Sequence, residues 1–414
     1  MILLWRALLL GVALFLAWRI VAAGLGGYYA DRMTAGDQDA VGQVLTWQPE
    51  HPEGLLALAL RQSSDDKEAA QALLTRSYRA NPAGPRPLIV LATQSMADGD
   101  IGQADSLIEI ATKLAPVNPR IQKQVAAYWA GRGDLERSLS HLSTVMEADG
   151  SERRALFSIL LRIVEDPETR GLLAPYALSP PAWWDGFFRF AVRRASTLEP
   201  ARYLYNLRRK AGAEALSDSE RATYVWRLQK DGAISEAYLV WLNGLDAGQR
   251  QYLGLLYNGG FEFEPSNQGF DWRIGKNDRV DIHARPTFGA IGNHAMNLNF
   301  RALKQRFGHL AQALFLDAGT YRLAGKTRSG AGFTTKGGLK WQARCLLPNT
   351  QRLGESERLL GSTEWTEFDF EFEVPPSCRY QELRLMSAGT RSFELKISGD
   401  IWFDDLRISR AIKP

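Results

Sequence analysis

Apolar positions along this chain keep three successive rhythms. From Ala7 to Ala30 the run is continuous, with Arg19 as its one charged residue, so it has no polar face. From about residue 51 to 250, apolar residues recur every three or four positions, the period of helices that bury one side. From Tyr257 onward the runs shorten and alternate, and turn residues come about every eight to twelve positions, as in short half-buried strands. The pattern predicts a multidomain chain, α then β. Its parts are a signal anchor or transmembrane helix over 1–30, a helical repeat region over 31–152, an irregular helical extension over 153–252, and an antiparallel β-sandwich over 253–414.

The apolar start carries an address. Ala7–Trp18 is a stretch of twelve residues without charge, about the length of a signal-peptide core and short of the ~20 that cross a bilayer. Val21-Ala22-Ala23 offers a small-residue cleavage site. The other reading is one uncleaved helix over about residues 3–29, with Arg19 reaching back to the interface. Both readings export the rest of the chain, because Arg6 and the amino terminus hold the short N-terminal side inside. The expectation is a bacterial inner-membrane protein whose bulk is periplasmic. In an exported protein the two cysteines, Cys345 and Cys378, read as one disulfide, with two separate buried thiols as the alternative.

A 34-residue interval runs through the first helical stretch: Pro82 to Pro116, Ala92 to Ala126, Gly99-Asp100 to Gly133-Asp134, and Ala70 to Ala104 to Ser138. Small residues let paired helices approach closely, and proline ends the second helix because it lacks an N–H and restricts its predecessor. Leu91, Ile108, Val125, Trp129 and Leu142 fill the large apolar positions. In this spacing the sequence resembles the tetratricopeptide family over three units, 51–84, 85–118 and 119–152. The first unit departs from the family pattern with Leu58 at a small position and Asp65-Asp66 where glycine is usual. The resemblance implies a curved solenoid with a protein-binding groove. At the family's groove positions stand Arg86, Ile89, Thr93 and Met96, then Arg120, Lys123, Ala127 and Ala130. The three cations point to an acidic peptide or polyanion, although a solvated helix face has the same composition. Further on, Trp183, Trp184, Phe187, Phe188 and Phe190 read as a core or domain-junction cluster, or as a second contact with the membrane surface.

The last third opens Asn258-Gly259-Gly260-Phe261-Glu262 and closes Ile401-Trp402-Phe403-Asp404-Asp405-Leu406. That order resembles the jelly-roll carbohydrate-binding modules, the galactose-binding-like sandwiches. The resemblance implies sugar held by aromatic rings and a few polar groups, with Trp272, Tyr321 and Trp341 as candidates beside core packing. Trp365 and Trp402 match positions that usually pack the core. The resemblance also allows a structural calcium between Glu262 and Asp405, against plain hydrogen-bonding roles in the turn. Arg301–Ala313 reads as a short helix or as the approach to a strand at Leu310–Leu316.

Composition narrows the function classes. A net charge of +4 over 414 residues, without a Lys/Arg run or a basic helix face, does not point to nucleic acid. The five histidines show no metal-ligand spacing, and the nucleophile-elbow, phosphate-loop, dinucleotide-turn and zinc-protease motifs are absent. Asp369, Glu371 and Glu373 alternate with Phe368, Phe370 and Phe372, as on a solvated strand face rather than a glycosidase pair. The expectation is therefore a membrane-anchored scaffold and not an enzyme. It would need no cofactor beyond the calcium, its partners being the membrane, proteins of a polysaccharide assembly machine, and polysaccharide. The anchor, repeats and sandwich together resemble the membrane-anchored repeat proteins of bacterial exopolysaccharide systems, which implies that machine as the setting. A protein-assembly factor with no sugar ligand is the rival, and a glycan-modifying enzyme the remote third.

Overall fold

The computed structural model describes residues 2–63, 66–212 and 216–411, and only the backbone of residues 2–4 and 7. Asp65, half of the acidic pair in the first repeat unit, lies outside the described residues. The chain divides into two compact units, Met1–Leu173 with Pro181–Trp183, and Ala174–Pro180 with Trp184–Pro414.

The first unit is helical: α1 (Ile2–Thr34), α2 (Ala40–Trp47), α3 (Pro52–Gln62), α4 (Lys67–Ala80), α5 (Arg86–Ala97), α6 (Ile101–Leu114), α7 (Pro119–Gly131), α8 (Leu135–Ala148) and α9 (Arg153–Glu165). From α3 to α8 the helices pair as hairpins, and α4, α6 and α8 begin at Lys67, Ile101 and Leu135, 34 residues apart. The Gly-Asp turns explain the interval. Gly99 and Gly133 sit at φ of +84° and +78°, a left-handed stop that a side chain would strain. Asp100 and Asp134 then cap the next helices, each accepting a backbone N–H at 3.0 Å, from Gln103 and Arg137. Ala92, Ala104 and Ala111 are fully buried where the helices meet. In the first repeat, 51–84, Ala59 is buried one place beyond the half-buried Leu58.

The second unit begins with α10 (Ala174–Leu178), α11 (Trp184–Arg194), α12 (Glu199–Arg209), α13 (Asp218–Lys230), α14 (Ile234–Leu242) and α15 (Ala247–Arg250). The aromatic patch is core: Trp184, Phe187 and Phe188 are buried, as is Trp183 in the first unit. Helix α14 joins the helices to the sandwich, with Tyr238 against Phe270 and Phe315 (5.1 and 5.3 Å between rings) and Trp241 against Tyr257 (5.1 Å).

The helices are followed by an antiparallel β-sandwich, as expected. Its strands are β1 (Trp272–Ile274), β2 (Val280–Pro286), β3 (His294–Lys304), β4 (Leu310–Leu314), β5 (Gly319–Ser329), β6 (Thr334–Thr335), β7 (Leu339–Leu347), β8 (Gln351–Glu355), β9 (Thr366–Val374), β10 (Tyr380–Ser387) and β11 (Lys396–Arg410). Among the described residues one sheet has the order β1-β4-β10-β7-β8, and the other β2-β3-β11-β5-β9 with β6 added on β11. The stretch 301–313 holds no helix: β3 runs on to Lys304, and Leu310–Leu314 is a strand of the first sheet.

Between the sheets lies one apolar core in which Trp272, Trp341 and Phe403 succeed one another edge to face, at 5.7 and 5.4 Å. The opening motif clips onto the closing strand. Leu406 N–H donates to the Gly259 carbonyl at 3.0 Å, and a Cβ on Gly259 would fall 1.9 Å from the Leu406 oxygen. Cys345 on β7 and Cys378 before β10 are joined as a disulfide, with Cα atoms 5.8 Å apart.

Candidate functional site

Alternation along β11 decides what the six-stranded sheet shows to solvent. Ile401 and Phe403 are fully buried, so Trp402 between them must face outward. In register with it stand Asn297 on β3 and Arg328 on β5; His283 on β2 pairs with Asn297. Thr327 pairs with Thr366, which brings Trp365 beside Arg328 at the head of β9. The result is a row across the strands: His283, Asn297, Trp402, Arg328, Trp365. Neighbouring members are about 4.8 Å apart along the row.

Arg328 organises the aromatic end. Its guanidinium lies 5.0 Å from the Trp365 ring and 5.8 Å from the Trp402 ring, stacking between the two indoles. It also donates to the Phe288 carbonyl (2.9 Å) and to Thr287 Oγ1 (2.5 Å), and Trp365 Nε1 donates to the same carbonyl at 3.2 Å. The 287–289 loop is thus tied down while the Phe288 side chain, 92% exposed, stands free in solvent. Gly289, at φ +76°, lets this loop turn against the Trp365 ring.

The other end of the row is polar. Asp400 Oδ1 accepts from Asn299 (2.9 Å) and Asn297 (3.3 Å), the first of which it faces in register. His283 lies between Glu264 (3.1 Å) and Asp281 (3.0 Å). Asn297 is buried, 2% exposed, so the polar groups open to a ligand here are Asn299, Asp400 and His283. Partly exposed indoles beside such groups can hold a pyranose, the rings against its C–H face and the polar groups on its hydroxyls.

The sugar candidates from the sequence are elsewhere. Trp272 and Trp341 are fully buried and Tyr321 is 3% exposed, so none of the three can stack a sugar. Trp272 Nε1 donates to the Asn258 carbonyl at 3.0 Å, and Tyr321 stacks on Phe372 with its hydroxyl bonded to the Asp317 carbonyl. Trp365 and Trp402, expected in the core, are instead half-buried on the outer face. The run Ile401-Trp402-Phe403 is apolar in both registers, so alternation alone could not say which residue faces out.

Glu262 and Asp405 are both engaged within the protein. Glu262 Oε1 is taken by the backbone N–H groups of Asn293 (2.9 Å) and His294 (3.3 Å), while Asp405 pairs with Arg407. The buried carboxylate is Asp404, which accepts from Ile291 N–H at 2.7 Å and whose burial pushes its carboxyl above the usual range. Among the described residues no group of three or more His, Cys, Asp or Glu could hold a metal ion.

In the helical unit, Arg86, Arg120 and Lys123 do line one cleft, of about 790 Å³, together with Glu53, Asp149 and Glu152. Two of the cations are already matched, Arg86 by Glu53 (2.5 Å) and Lys123 by Glu152 (2.8 Å). Ile89 is buried, and Thr93 is exposed outside that lining. An apolar cleft of about 560 Å³ opens beside it between α7, α8 and α9, floored by Ala126, Ala130, Leu139, Leu142 and Ile159.

Partial overlays exist with solved carbohydrate-binding modules. One is a CBM4 structure, 14% identical over 38% of this chain and 99% of that one, with a TM-score of 0.29. Another is the CBM22-1 xylan-binding domain of Paenibacillus barcinonensis Xyn10C, 15% identical over 38% and 93%, TM-score 0.28. A third is TmCBM61 in complex with β-1,4-galactotriose, 21% identical over 38% and 99%, TM-score 0.27. No family model and no curated protein matches the chain. With TM-scores this low the overlays carry no argument about ligand or activity, which rest on the side chains described above.

Proposed function

We propose that this protein is a membrane-anchored scaffold that binds polysaccharide through its sandwich and protein partners through its helical unit. It organises polysaccharide synthesis or export on the periplasmic side of a bacterial inner membrane and performs no catalysis itself. The observation that carries the reading is the solvent-facing row of Trp402, Arg328 and Trp365, with Phe288 at its edge. Trp402 and Trp365 are half-buried with Arg328 stacked between them, but together with the exposed Phe288 ring they make one aromatic edge on a tied-down surface, a feature that suits a ligand. The apolar cleft between α7, α8 and α9 supports the protein-binding half. As for catalysis, Asp369, Glu371 and Glu373 are spread along the exposed side of β9, with Asp369 held by Arg322 at 2.9 Å.

The test is affinity electrophoresis of the intact protein in mild detergent, in gels containing the source organism's extracellular polysaccharide and a panel of neutral and acidic glycans. Retardation that is lost in Trp402→Ala and Trp365→Ala, with circular dichroism unchanged, supports the reading. Unchanged mobility across the panel overturns the sugar half and leaves the protein-assembly factor.

A further inference from the structure

Helix α1 is 33 residues long, about 50 Å at ~1.5 Å per residue, whereas the hydrocarbon core of a bilayer takes ~30 Å, or ~20 residues. Only part of it can lie in lipid. From Trp5 to Val21 every described side chain is exposed, and the exposed set includes Leu8, Leu9, Leu10, Phe15 and Ile20. Burial begins at Ala22 and recurs at Gly26, where α2 packs against the helix. Gln48 Nε2 donates to the Ala23 carbonyl at 3.3 Å, and the Gln48 side chain fills the space that a Cβ on Gly26 would need. Trp47 lies 5.7 Å from Trp18, and Ala40, Val41 and Val44 of α2 are buried. Counted back from Val21, ~20 residues reach Ile2, within the same helix. The part of α1 that precedes its first buried residue is therefore about as long as a bilayer core requires.

We propose that α1 is retained as an uncleaved stalk: residues 2–17 lie within the bilayer, residues 18–21 reach its headgroup edge with Trp18 and Arg19 beside Trp47, and residues 22–34 stand outside it, packed on α2. This rests on the reading that α1 enters a membrane. Charge follows the same axis. Arg19 meets the anionic surface, while Asp31, Asp37 and Asp39, with Arg32 paired to Asp37 at 2.6 Å, leave the far end of the α1–α2 hairpin net acidic. Indole rings at the foot of the hairpin occupy the level where tryptophan concentrates in membrane proteins. The twelve charge-free residues Ala7–Trp18, too short alone, suffice once the stems of Arg6 and Arg19 reach outward. Cleavage after Ala23 would remove Trp18 and Ala22 and uncover the apolar face of α2, which argues against a removed signal. The first helical hairpin is thereby held upright on the membrane rather than swinging on a linker.

The experiment combines the intact mass of the membrane-extracted protein with fluorescence quenching in phosphatidylcholine–phosphatidylglycerol vesicles. Thr46→Cys and Ala35→Cys, both at exposed positions, each carry one fluorophore, and the vesicles carry a shallow nitroxide lipid. The expected result is a full-length mass, with loss of fluorescence at position 46 and none at position 35. A mass starting near residue 24 overturns the retained stalk while leaving export intact. Full-length protein released by carbonate washing overturns the membrane reading itself. Full-length, membrane-bound protein with neither label quenched, or with both quenched alike, overturns the seating on the headgroups.

Discussion

On the outer face of the five-stranded sheet, the middle of β10 carries Glu382, whose side chain is 4% exposed. Arg384 (2.7 Å), Arg344 and Arg273 (3.8 Å) surround it. The six-stranded sheet carries Trp402 in the middle of β11, half-buried and flanked by Asn297 and Arg328. Both residues follow from strand alternation, but one faces groups that satisfy it and the other is left partly open to solvent beside Arg328. A buried carboxylate ringed by guanidinium groups is finished by its own fold, because its lone pairs and charge are already met. An indole that is covered on one side by Arg328 and partly open on the other leaves surface that only a ligand would cover. The contrast separates the face that holds the sandwich together from the face that has work left to do.

The largest effect should come from the core that both faces share. Trp341→Ala is expected to cost about 3–5 kcal/mol in urea unfolding, since the ring is fully buried between Trp272 and Phe403. If it instead removed glycan retention and left the fold stable, the assignment of inner and outer faces would be reversed.

Reduction comes next. Opening the Cys345–Cys378 bridge, which spans a sequence separation of 33, should lower stability by about 3–4 kcal/mol, seen as a reducing-agent-dependent fall in melting temperature. Glycan retention measured below that temperature should persist, because neither sulfur lies on the aromatic row.

Glu382→Gln should cost about 3 kcal/mol, as it leaves three arginines around an uncharged group. Burial alone would push the Glu382 carboxyl up, but Arg384 and Arg344 outweigh it and hold it below the usual range. The folded carboxyl is therefore the stronger acid, and its stabilisation is fully present above the unfolded value of 4.5. It is lost as pH falls through the lower folded value, so acid unfolding of the variant should be shallower in that window. Equal slopes for the two proteins would show that the arginine cluster does not hold the charge.

The smallest free-energy change belongs to the other face. Trp402→Ala and Trp365→Ala should each weaken glycan binding by roughly tenfold, on the order of 1 kcal/mol per ring, with melting temperatures little changed. Losses of several kcal/mol in stability without a change in binding would make these rings structural, like Trp341.

The 34-residue interval, the Gly-Asp turns and the helix starts at Ile101 and Leu135 could be read from residue order, because capping and left-handed glycines act over a few neighbouring positions. The same holds for the switch to strands after Tyr257. The cysteine pair was visible as a pair, but its closure needed two strands brought into register. Helix α14 was legible as a helix, yet its docking on Phe270 and Phe315 was not, since both partners are merely apolar in sequence.

What the chain's own order determined is periodic and local: an apolar start, helices at a fixed interval, then short alternating strands. Tertiary structure alone decided the rest. Trp272, Trp341, Trp365 and Trp402 are the same residue type in the same kind of strand-rich context, and two lie in the core while two face out. Their fate depends on which neighbouring strand supplies a partner and on the facing in every strand that a register shift of one residue reverses. Arg328 joins Trp365 only because β5 pairs with both β11 and β9, a juxtaposition of residues far apart in the chain that no local rule encodes.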